Sequence, residues 1–328
     1  RKIGMKFREF SNLGWRVSEI GLGCWAIGAD WGNVSLEDAR EVLKTSLDQG
    51  VNFYDTADVY GDGRSEQLVS ELIKSTSERL YVATKAGRRL NPHTADGYNL
   101  LNIESFIDRS LKNLSVECID LLQLHCPPTE TYSKKETYEM LDEIVTKGKI
   151  ANYGISVETV SQAQEALKYP NIKSIQIIFN IFRQKPSEVF FKEAREKNVA
   201  IIVRVPLASG MLTGKMNKDW VFPENDHRNY NIKGVAFDVG ETFSGVNFEK
   251  GLEAVERLKD LLPIGFSLTD LALKWILMHE EVTVVIPGAK NKQQVKNNLI
   301  ASDKNDITEI ISKINLVYEE LIKPDVQD

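Results

Sequence analysis

Four side chains that could hold or transfer a proton fall at or just after the ends of predicted β-strands. Asp55 ends the run "VNFYD", Lys85 ends "RLYVATK" and His125 ends "IDLLQLH". Tyr60 follows Asp55 in a short loop that continues with Gly61. Each residue alone has an ordinary structural explanation, since aspartates also cap turns. Their shared position relative to the strands indicates that they act together.

These four groups suit the protonation of an oxygen atom. A buried lysine ammonium beside a phenol stabilises the phenolate and lowers the pKa of the phenol from about 10. Asp55 would hold Lys85 charged and oriented, so that Tyr60 can protonate an alkoxide near neutral pH. His125 would orient a carbonyl oxygen by hydrogen bonding. We therefore expect general-acid catalysis on a carbonyl compound.

The elements that must position these groups alternate regularly between strand and helix. Strand-like runs lie at residues 19–23, 51–55, 79–85, 119–125, 149–156, 174–180, 199–205 and 282–288. Helix-like segments lie at residues 35–50, 65–74, 102–114, 137–148, 159–168, 186–198, 267–279 and 291–301. Such alternation implies parallel strands with helical crossovers, and eight units in about 300 residues fit an α/β fold, a (β/α)₈ TIM barrel. We expect one barrel domain over residues 5–328.

The alternative architecture is a doubly wound open sheet, which the first strand–helix turn disfavours. The stretch "GLGCWAIG" holds glycines at 21, 23 and 28, not the G-x-G-x-x-G spacing of a dinucleotide-binding turn. In a barrel, the carboxyl ends of all strands open on one mouth. The barrel therefore predicts that Asp55, Tyr60, Lys85 and His125 converge.

Three segments lie outside the eight units. The stretch "FREFSNLGWRVSEI" predicts a hairpin that caps the amino-terminal mouth, and residues 306–322 predict an amphipathic helix packed on the barrel exterior. Residues 207–246 are too long for an ordinary loop and are expected to reach over the opposite mouth. Ser35 and Ser65 are predicted helix N-caps.

Composition excludes several classes of protein. The chain has 328 residues, of which 42% are hydrophobic and 27% charged, and a net charge of −6, typical of a soluble globular protein. No basic patch predicts nucleic-acid binding, and no apolar run is long enough to span a membrane. Three cysteines and the lack of a secretory signal favour free thiols and a cytoplasmic location. The four histidines are scattered, so no metal site is expected.

The motifs resemble those of the aldo-keto reductase superfamily. "DTADVYGDGRSE", "YVATKAG" and "LLQLHCP" are similar to its Asp, Tyr, Lys and His signatures, while "VPLASGMLTGK" and "IPGAKNKQQVKNNL" are similar to its cofactor motifs. The similarity spans roughly residues 7–301 and is greatest to the branch of bacterial enzymes and potassium-channel β-subunits. It implies reversible, metal-free reduction of aldehydes and ketones with NADPH. Tyr60 would be the general acid, tuned by Lys85 and Asp55, and His125 would polarise the carbonyl.

The resemblance also implies a set of cofactor contacts. The first-strand loop and Arg204 would face the nicotinamide, Ser156 and Gln176 its carboxamide, residues 207–215 the pyrophosphate, and residues 288–298 the adenosine 2′-phosphate and adenine. The implied contacts are Gly23, Cys24, Trp25, Asp55, Ser156, Gln176, Arg204, Leu207, Ser209, Gly210, Lys215, Gly288, Lys290, Gln294 and Asn298.

Some of these positions depart from the family pattern. Arg204 replaces a frequent tyrosine, Val157 a frequent asparagine, and Gln294 a frequent 2′-phosphate arginine. Lys290 would supply the missing charge as a point cation, and Arg228 is a second candidate. NADPH/NADP⁺ remains the expected cofactor, with NADH as the alternative.

The substrate is expected to be a small carbonyl compound. Trp25, Trp31, Tyr60 and His125 are the predicted substrate contacts. Tyr98, Phe179 and Trp220 would either line an apolar cleft or belong to the core.

Two other functions and one assembly stay open. A cofactor-sensing regulatory subunit of a membrane protein would keep the same four residues. A Schiff-base aldolase would use Lys85 as its nucleophile. A homo-oligomer is a further possible assembly.

Overall fold

Strands and helices alternate along the chain in the computed structural model, which describes residues 2–28, 34–220 and 245–326. The strands are β1 (Phe7–Phe10), β2 (Trp15–Ser18), β3 (Leu22–Gly23), β4 (Phe53–Asp55), β5 (Tyr81–Ala86), β6 (Leu121–Leu124), β7 (Tyr153–Ser156), β8 (Ile172–Ile178), β9 (Ala200–Arg204) and β10 (Val282–Val285). The α-helices are α1 (Trp25–Gly28), α2 (Leu36–Asp48), α3 (Arg64–Lys74), α4 (Leu100–Leu114), α5 (Lys135–Thr146), α6 (Val160–Ala166), α7 (Lys185–Val189), α8 (Phe191–Glu196), α9 (Phe248–Lys259), α10 (Leu268–Leu277), α11 (Lys292–Leu299) and α12 (Ile311–Val317).

Strands β3 to β10 form an eight-stranded parallel sheet in sequential order. The sheet closes on itself, because parallel bridges join Ile20 to Val285 and Gly23 to Gly288. The Gly21 N–H donates to the Val285 carbonyl at 2.8 Å across this seam. The structure is thus the predicted (β/α)₈ barrel.

The amino-terminal hairpin closes the lower mouth, as predicted. Strands β1 and β2 pair antiparallel, and Phe10 and Val17 are fully buried. The Phe10 ring stacks on Phe53 with centroids 5.6 Å apart. These side chains share one apolar cluster with Ala83, Leu121, Ala200, Ile202, Val284 and Ile286. The cluster fills the lower barrel, so the polar chemistry is confined to the upper mouth.

One of the two predicted helix caps is confirmed and the other is wrong. The Ser35 hydroxyl accepts a hydrogen bond from the Asp38 N–H and caps α2. Helix α3 instead begins at Arg64 after Gly63, whose φ of 102° makes the turn. Ser65 is therefore already inside the helix, and its buried hydroxyl donates to the Cys24 carbonyl at 2.7 Å.

Two predicted helical regions differ in detail. The predicted helix at 186–198 is divided into α7 and α8 by Phe190, whose φ and ψ are −122° and −38°. The carboxy-terminal region is helical and packs on α9, as expected, but α12 covers only part of it. A π-turn at Tyr318–Ile322 follows, with Tyr318 and Ile322 buried.

Helix α9 was missed because it follows the long segment that we interpreted as a loop. Asn247 caps it, and Gly251, Ala254, Val255 and Leu258 form its buried face. This spacing is a helical signal that the sequence does carry. The predicted covering of the mouth by 207–246 rests largely on residues 221–244, which lie outside the described residues.

Within the described ranges, no helix combines the length and apolarity needed to cross a bilayer.

Candidate active site

A layer of polar side chains lies directly above the apolar filling of the barrel. Alternate residues of a strand point to the same side of the sheet. The residue two positions after an inward apolar residue therefore also points into the barrel, one layer higher. Asp55 follows Phe53 in this way, Lys85 follows Ala83, Gln123 follows Leu121, and Arg204 follows Ile202. All four polar residues are buried. Strand alternation therefore sets the height at which the chemistry is placed.

Lys85 connects two of the predicted catalytic residues. Its Nζ donates to Asp55 Oδ1 at 2.6 Å, to the Tyr60 hydroxyl at 3.0 Å and to the Thr56 carbonyl at 3.1 Å. An ammonium group has three protons, and these bonds use all of them. The bond to Tyr60 leaves the tyrosine's own proton available for another acceptor.

Asp55 is held by more than its lysine. Its Oδ2 accepts hydrogen bonds at 2.9 Å from the Nε2 atoms of both Gln123 and Gln176. Gln176 Nε2 also donates to Gln123 Oε1 at 2.8 Å. The sequence analysis did not identify Gln123. The available signal was one amide inside an apolar strand, two residues before His125.

The loop that carries Tyr60 depends on glycines. Gly61 and Gly63 have φ of 63° and 102°, in the left-handed region that favours glycine. A Cβ at Gly61 would overlap the Gly28 carbonyl oxygen at the end of α1. The loop therefore lies directly on the first-strand turn, and this contact sets the depth of Tyr60.

The pKa of Tyr60 is raised, contrary to the net effect expected from the sequence. Burial is the largest cause, and the charge of Asp55 adds to it. Lys85 lowers the pKa as predicted, but its effect is outweighed. Burial lowers the pKa of Lys85, but the charges of Asp55 and Tyr60 together raise it by more, so the net shift is upward. Lys85 stays an ammonium and Tyr60 a protonated phenol.

This hydrogen bonding argues against the Schiff-base aldolase. An amine nucleophile needs a free lone pair. Lys85 has a raised pKa and three acceptors around its Nζ, so the amine stays protonated and has no free lone pair for attack.

His125 faces Tyr60 as a neutral imidazole. The two ring centroids are 6.0 Å apart and the rings are edge-on, at 86°. Burial and the charges of Lys85, Arg88 and Arg204 hold the pKa of His125 well below its usual range. Its Nδ1 is buried without a hydrogen-bond partner among the described residues. A neutral imidazole beside the phenol suits a hydrogen bond to a carbonyl oxygen.

Several predicted nicotinamide contacts gather around the upper ends of β7, β8 and β9. Ser156 and Gln176 are in register on neighbouring strands. The Ser156 hydroxyl accepts from the Cys126 N–H at 2.9 Å. Arg204 Nη2 donates to the Val157 carbonyl at 3.0 Å.

Of the predicted cofactor contacts at the first barrel strand, Gly23 would act through its backbone and Trp25 through its side chain. A Cβ at Gly23 would meet the Ile286 carbonyl at 2.7 Å, so the backbone approaches closely there. The Cys24 thiol is fully buried in the core, and burial raises its pKa. The Trp25 side chain is 37% exposed. The tryptophan is thus the side chain of this stretch that faces outward.

The predicted phosphate contacts lie at the ends of β9 and β10. Val205, Ala208 and Ser209 all have positive φ, between 50° and 58°, which is strained for a β-branched valine. This loop ends with Gly210 and the exposed Lys215, and the Leu207 side chain is half-buried.

On the β10 side, two amides arrange the backbone around a glycine and a lysine. Gln294 Oε1 accepts from the Lys290 N–H at 2.8 Å, and Asn298 Nδ2 donates to the Gly288 carbonyl at 3.1 Å. Gly288 is exposed and Lys290 is half-buried. One lysine and two amides near an exposed glycine are polar groups that fit the phosphates of a dinucleotide.

The expected substrate contacts are only partly described. Phe179 is core rather than cleft, since it is fully buried against Phe191 and Trp275. Tyr98 is also buried, with its hydroxyl 2.7 Å from His93 Nε2. Trp220 is 44% exposed. Trp31 and Arg228 lie outside the described residues.

Comparison with curated proteins identifies relatives along most of the chain. It is 30% identical to "Aldo-keto reductase YhdN" of Bacillus subtilis over 94% of both chains. It is also 30% identical to "Aldo-keto reductase yakc [NADP(+)]" of Schizosaccharomyces pombe, covering 86% of this chain and 83% of that one. A "Probable voltage-gated potassium channel subunit beta" of Arabidopsis thaliana is 27% identical, with 91% and 92% covered.

The fold and the family model agree with these relatives. The solved structure of the glycerol dehydrogenase AKR11B4 from Gluconobacter oxydans superposes with a TM-score of 0.80 at 27% identity, covering 98% of both chains. The model of the "Aldo/keto reductase family" matches residues 19–315. The chain therefore belongs to the aldo/keto reductase family and is an oxidoreductase that works with a nicotinamide cofactor.

Proposed function

We propose that this protein reduces aldehydes and ketones to alcohols, reversibly, with NADPH as reductant and Tyr60 as general acid. The hydrogen bond from Lys85 to the Tyr60 hydroxyl carries the proposal. It makes the phenol an acceptor toward the lysine and leaves its proton for the substrate. The bound dinucleotide supplies the hydride.

The chain's own residues divide the remaining work. Neutral His125 donates a hydrogen bond to the carbonyl oxygen and orients it, and Tyr60 gives its proton to that oxygen as negative charge develops. Lys85 stabilises the phenolate left behind, and Asp55 keeps the lysine charged and aimed. Because Asp55 lies on rigid strand β4, the charge is fixed before the substrate arrives.

The function is tested by Tyr60→Phe. We expect kcat for a generic aldehyde to fall about 10²-fold or more, while affinity for NADPH stays within about twofold, as for a lost general acid. The control is Tyr153→Phe, which removes a phenol that donates to Asp142 on the outer side of the barrel. A Tyr60 variant with near wild-type turnover would refute the role.

NADPH is proposed over NADH because Lys290 stands beside the expected 2′-phosphate pocket and a relative is named for NADP(+). Replacing Lys290 by methionine should weaken NADPH affinity about fivefold to tenfold and leave NADH affinity unchanged, since only NADPH carries the 2′-phosphate. Exposed Lys292 offers a matched control, as Lys292→Met. Fluorescence titration with both cofactors measures this, and equal losses for the two would contradict it.

A second candidate function follows from the Arabidopsis relative, whose name describes a channel subunit. In that case the cofactor would be sensed rather than turned over for metabolism. If each protein molecule reduces many molecules of the aldehydes in a test panel, the result favours an enzyme. Negligible turnover together with co-purification of a membrane protein favours the subunit.

We further propose one barrel domain over residues 5–328 in the cytoplasm. The cysteines of the described chain, Cys24, Cys118 and Cys126, are unpaired, which suits a reducing compartment. Assembly into a homo-oligomer remains a proposal that light scattering would test.

A further inference from the structure

The Asp55–Lys85 ion pair is almost completely removed from water. The two side chains are 3% and 2% exposed. A buried pair is stable only when its remaining lone pairs and protons are also satisfied, because removing two charges from water is costly. Lys85 meets this condition by itself with three acceptors. Asp55 Oδ2 meets it, among the described residues, through the two amides of Gln123 and Gln176.

Gln123 occupies a specific place in this network. It is fully buried on β6, where it is the register partner of Lys85 on β5 and of Gly154 on β7. A carboxylate only accepts hydrogen bonds, so the Nε2 atom of Gln123 must face Asp55. Its Oε1 then accepts from Gln176. Both ends of this amide are therefore determined by the network.

Gln176 divides its hydrogen bonds between Asp55 and Gln123. Its Nε2 has two protons, and one goes to Asp55 while the other goes to Gln123. Gln123 thus restrains Asp55 directly and also through Gln176. The layer below it contains the apolar side chains of Leu121 and Ala83, so among the described residues that layer offers no replacement donor.

We propose that Gln123 is a positioning residue of the reaction, which fixes Asp55 and through it the Lys85 ammonium that faces Tyr60. This inference rests on the proposed function, in which Tyr60 is the general acid. The amide also has an electrostatic effect, because its N–H dipole directs positive potential toward Asp55. That potential offsets part of the negative charge that raises the pKa of Tyr60.

The first test is Gln123→Leu, which keeps the volume and removes both hydrogen-bonding ends. We expect kcat to fall about tenfold through lost orientation, with aldehyde KM and NADPH affinity within about twofold. The basic limb of the kcat–pH profile should move to higher pH, because the phenol is harder to ionise beside a less compensated carboxylate. Asn52→Ala is the matched control. It removes an amide at the lower end of β4 that bonds the backbone of Arg16 and Ser18.

The second test is Gln123→Glu, which keeps the shape and adds an ionisable group. At low pH the introduced carboxyl group is protonated and can still donate to Asp55. At higher pH two adjacent carboxylates repel each other and oppose phenolate formation. We therefore expect kcat near that of Gln123→Leu or above it at pH 6, with a steep loss toward pH 9. This signature stays measurable if the leucine variant does not fold.

The outcomes separate this inference from the proposed function. If Tyr60→Phe abolishes turnover while both Gln123 variants keep wild-type kcat and pH profiles, the positioning role is wrong and the general acid stands. A glutamate variant that loses kcat equally at all pH values, with reduced thermal stability, would also overturn the role, since that is a purely structural effect. If Tyr60→Phe is itself fully active, the proposed function fails first.

Discussion

Asp58 is a buried carboxylate two residues before the proposed general acid. It is 0% exposed, and neither side-chain oxygen has a hydrogen bond among the described residues. Burial, and then the charge of Glu66, raise its pKa to about 7. Arg89 and Arg109 lie near enough to lower it, but both pair with Asp62 instead. Asp58 therefore weakens the native state whenever it is ionised.

The sign of this effect with pH follows from the raised pKa. The unfolded chain releases this proton near pH 4, whereas the folded chain keeps it to about pH 7. Between these values the native state binds more protons, so stability falls as pH rises. Asp58→Asn should therefore raise the free energy of unfolding by about 1–3 kcal/mol at pH 8 and by progressively less toward pH 4.

Urea unfolding at several pH values measures this effect, and exposed Asp62 offers a control of opposite sign. Hydrogen bonding to Arg89 and the charge of Arg109 lower the pKa of Asp62. Its contribution is present at neutral pH and lost as pH falls through the folded pKa, so Asp62→Asn should destabilise only near neutrality. A pH-independent gain for Asp58→Asn would contradict a titrating carboxylate.

At the scale of elements, the Tyr60 loop shows what the sequence could and could not predict. A tyrosine between a strand and glycines indicated an active-site loop, and the positive φ of Gly61 and Gly63 agrees with it. The wrong cap at Ser65 came from the same loop. N-cap preference is a local rule, whereas Ser65 is bonded to Cys24, 41 residues earlier in the chain. Such a long-range contact overrides the local preference.

Gly61→Ala tests the loop as an element. The alanine would have to adopt a φ of 63°, and its methyl group would overlap the Gly28 carbonyl oxygen. We therefore expect about 2 kcal/mol of destabilisation and at least a tenfold lower kcat. Gly148→Ala is the control, with a φ of 77° and nothing within 4 Å of the added atom. It should lose about 1 kcal/mol and no activity. Equal kinetic effects would show that the Gly28 contact does not position Tyr60.

At the scale of the whole molecule, the hairpin completes the barrel core from below. Phe10 is fully buried on Phe53, whereas Phe7 on the same strand is 39% exposed. Phe10 and Val17 of the hairpin belong to the apolar cluster that fills the lower barrel, so we expect the hairpin to contribute to global stability. The active site lies at the other mouth, so substitutions in the hairpin should lower the free energy of unfolding without changing kcat.

Phe10→Ala should therefore cost about 3–5 kcal/mol of unfolding free energy, from lost burial and the cavity left behind. Phe7→Ala should cost less than about 1 kcal/mol, because Phe7 is 39% exposed and loses less burial. Denaturant unfolding gives both values, and kcat per folded molecule should be unchanged in each. Similar losses for the two phenylalanines would argue against a specific role of Phe10 in filling the lower barrel.

The sequence by itself determined the alternation of strand and helix, the closed barrel and the four groups at its mouth. These follow from local periodicity and from chain order, which need no knowledge of distant contacts. The break at Phe190 and helix α9 were not obtained in this way. The first has no strong local signal, and the second was overlooked because it directly follows the segment 207–246, which we interpreted as a loop.

Only the tertiary structure decided how the polar layer is connected. It joined Gln123 and Gln176 to Asp55 across the barrel and raised the pKa of Tyr60 despite Lys85. It also buried Asp58 with no side-chain hydrogen bond to its carboxylate from the described part of the chain. The physical reason is common to all three. Burial and hydrogen-bond pairing depend on which strands are neighbours and how deep each side chain lies, and neither quantity is local in the sequence.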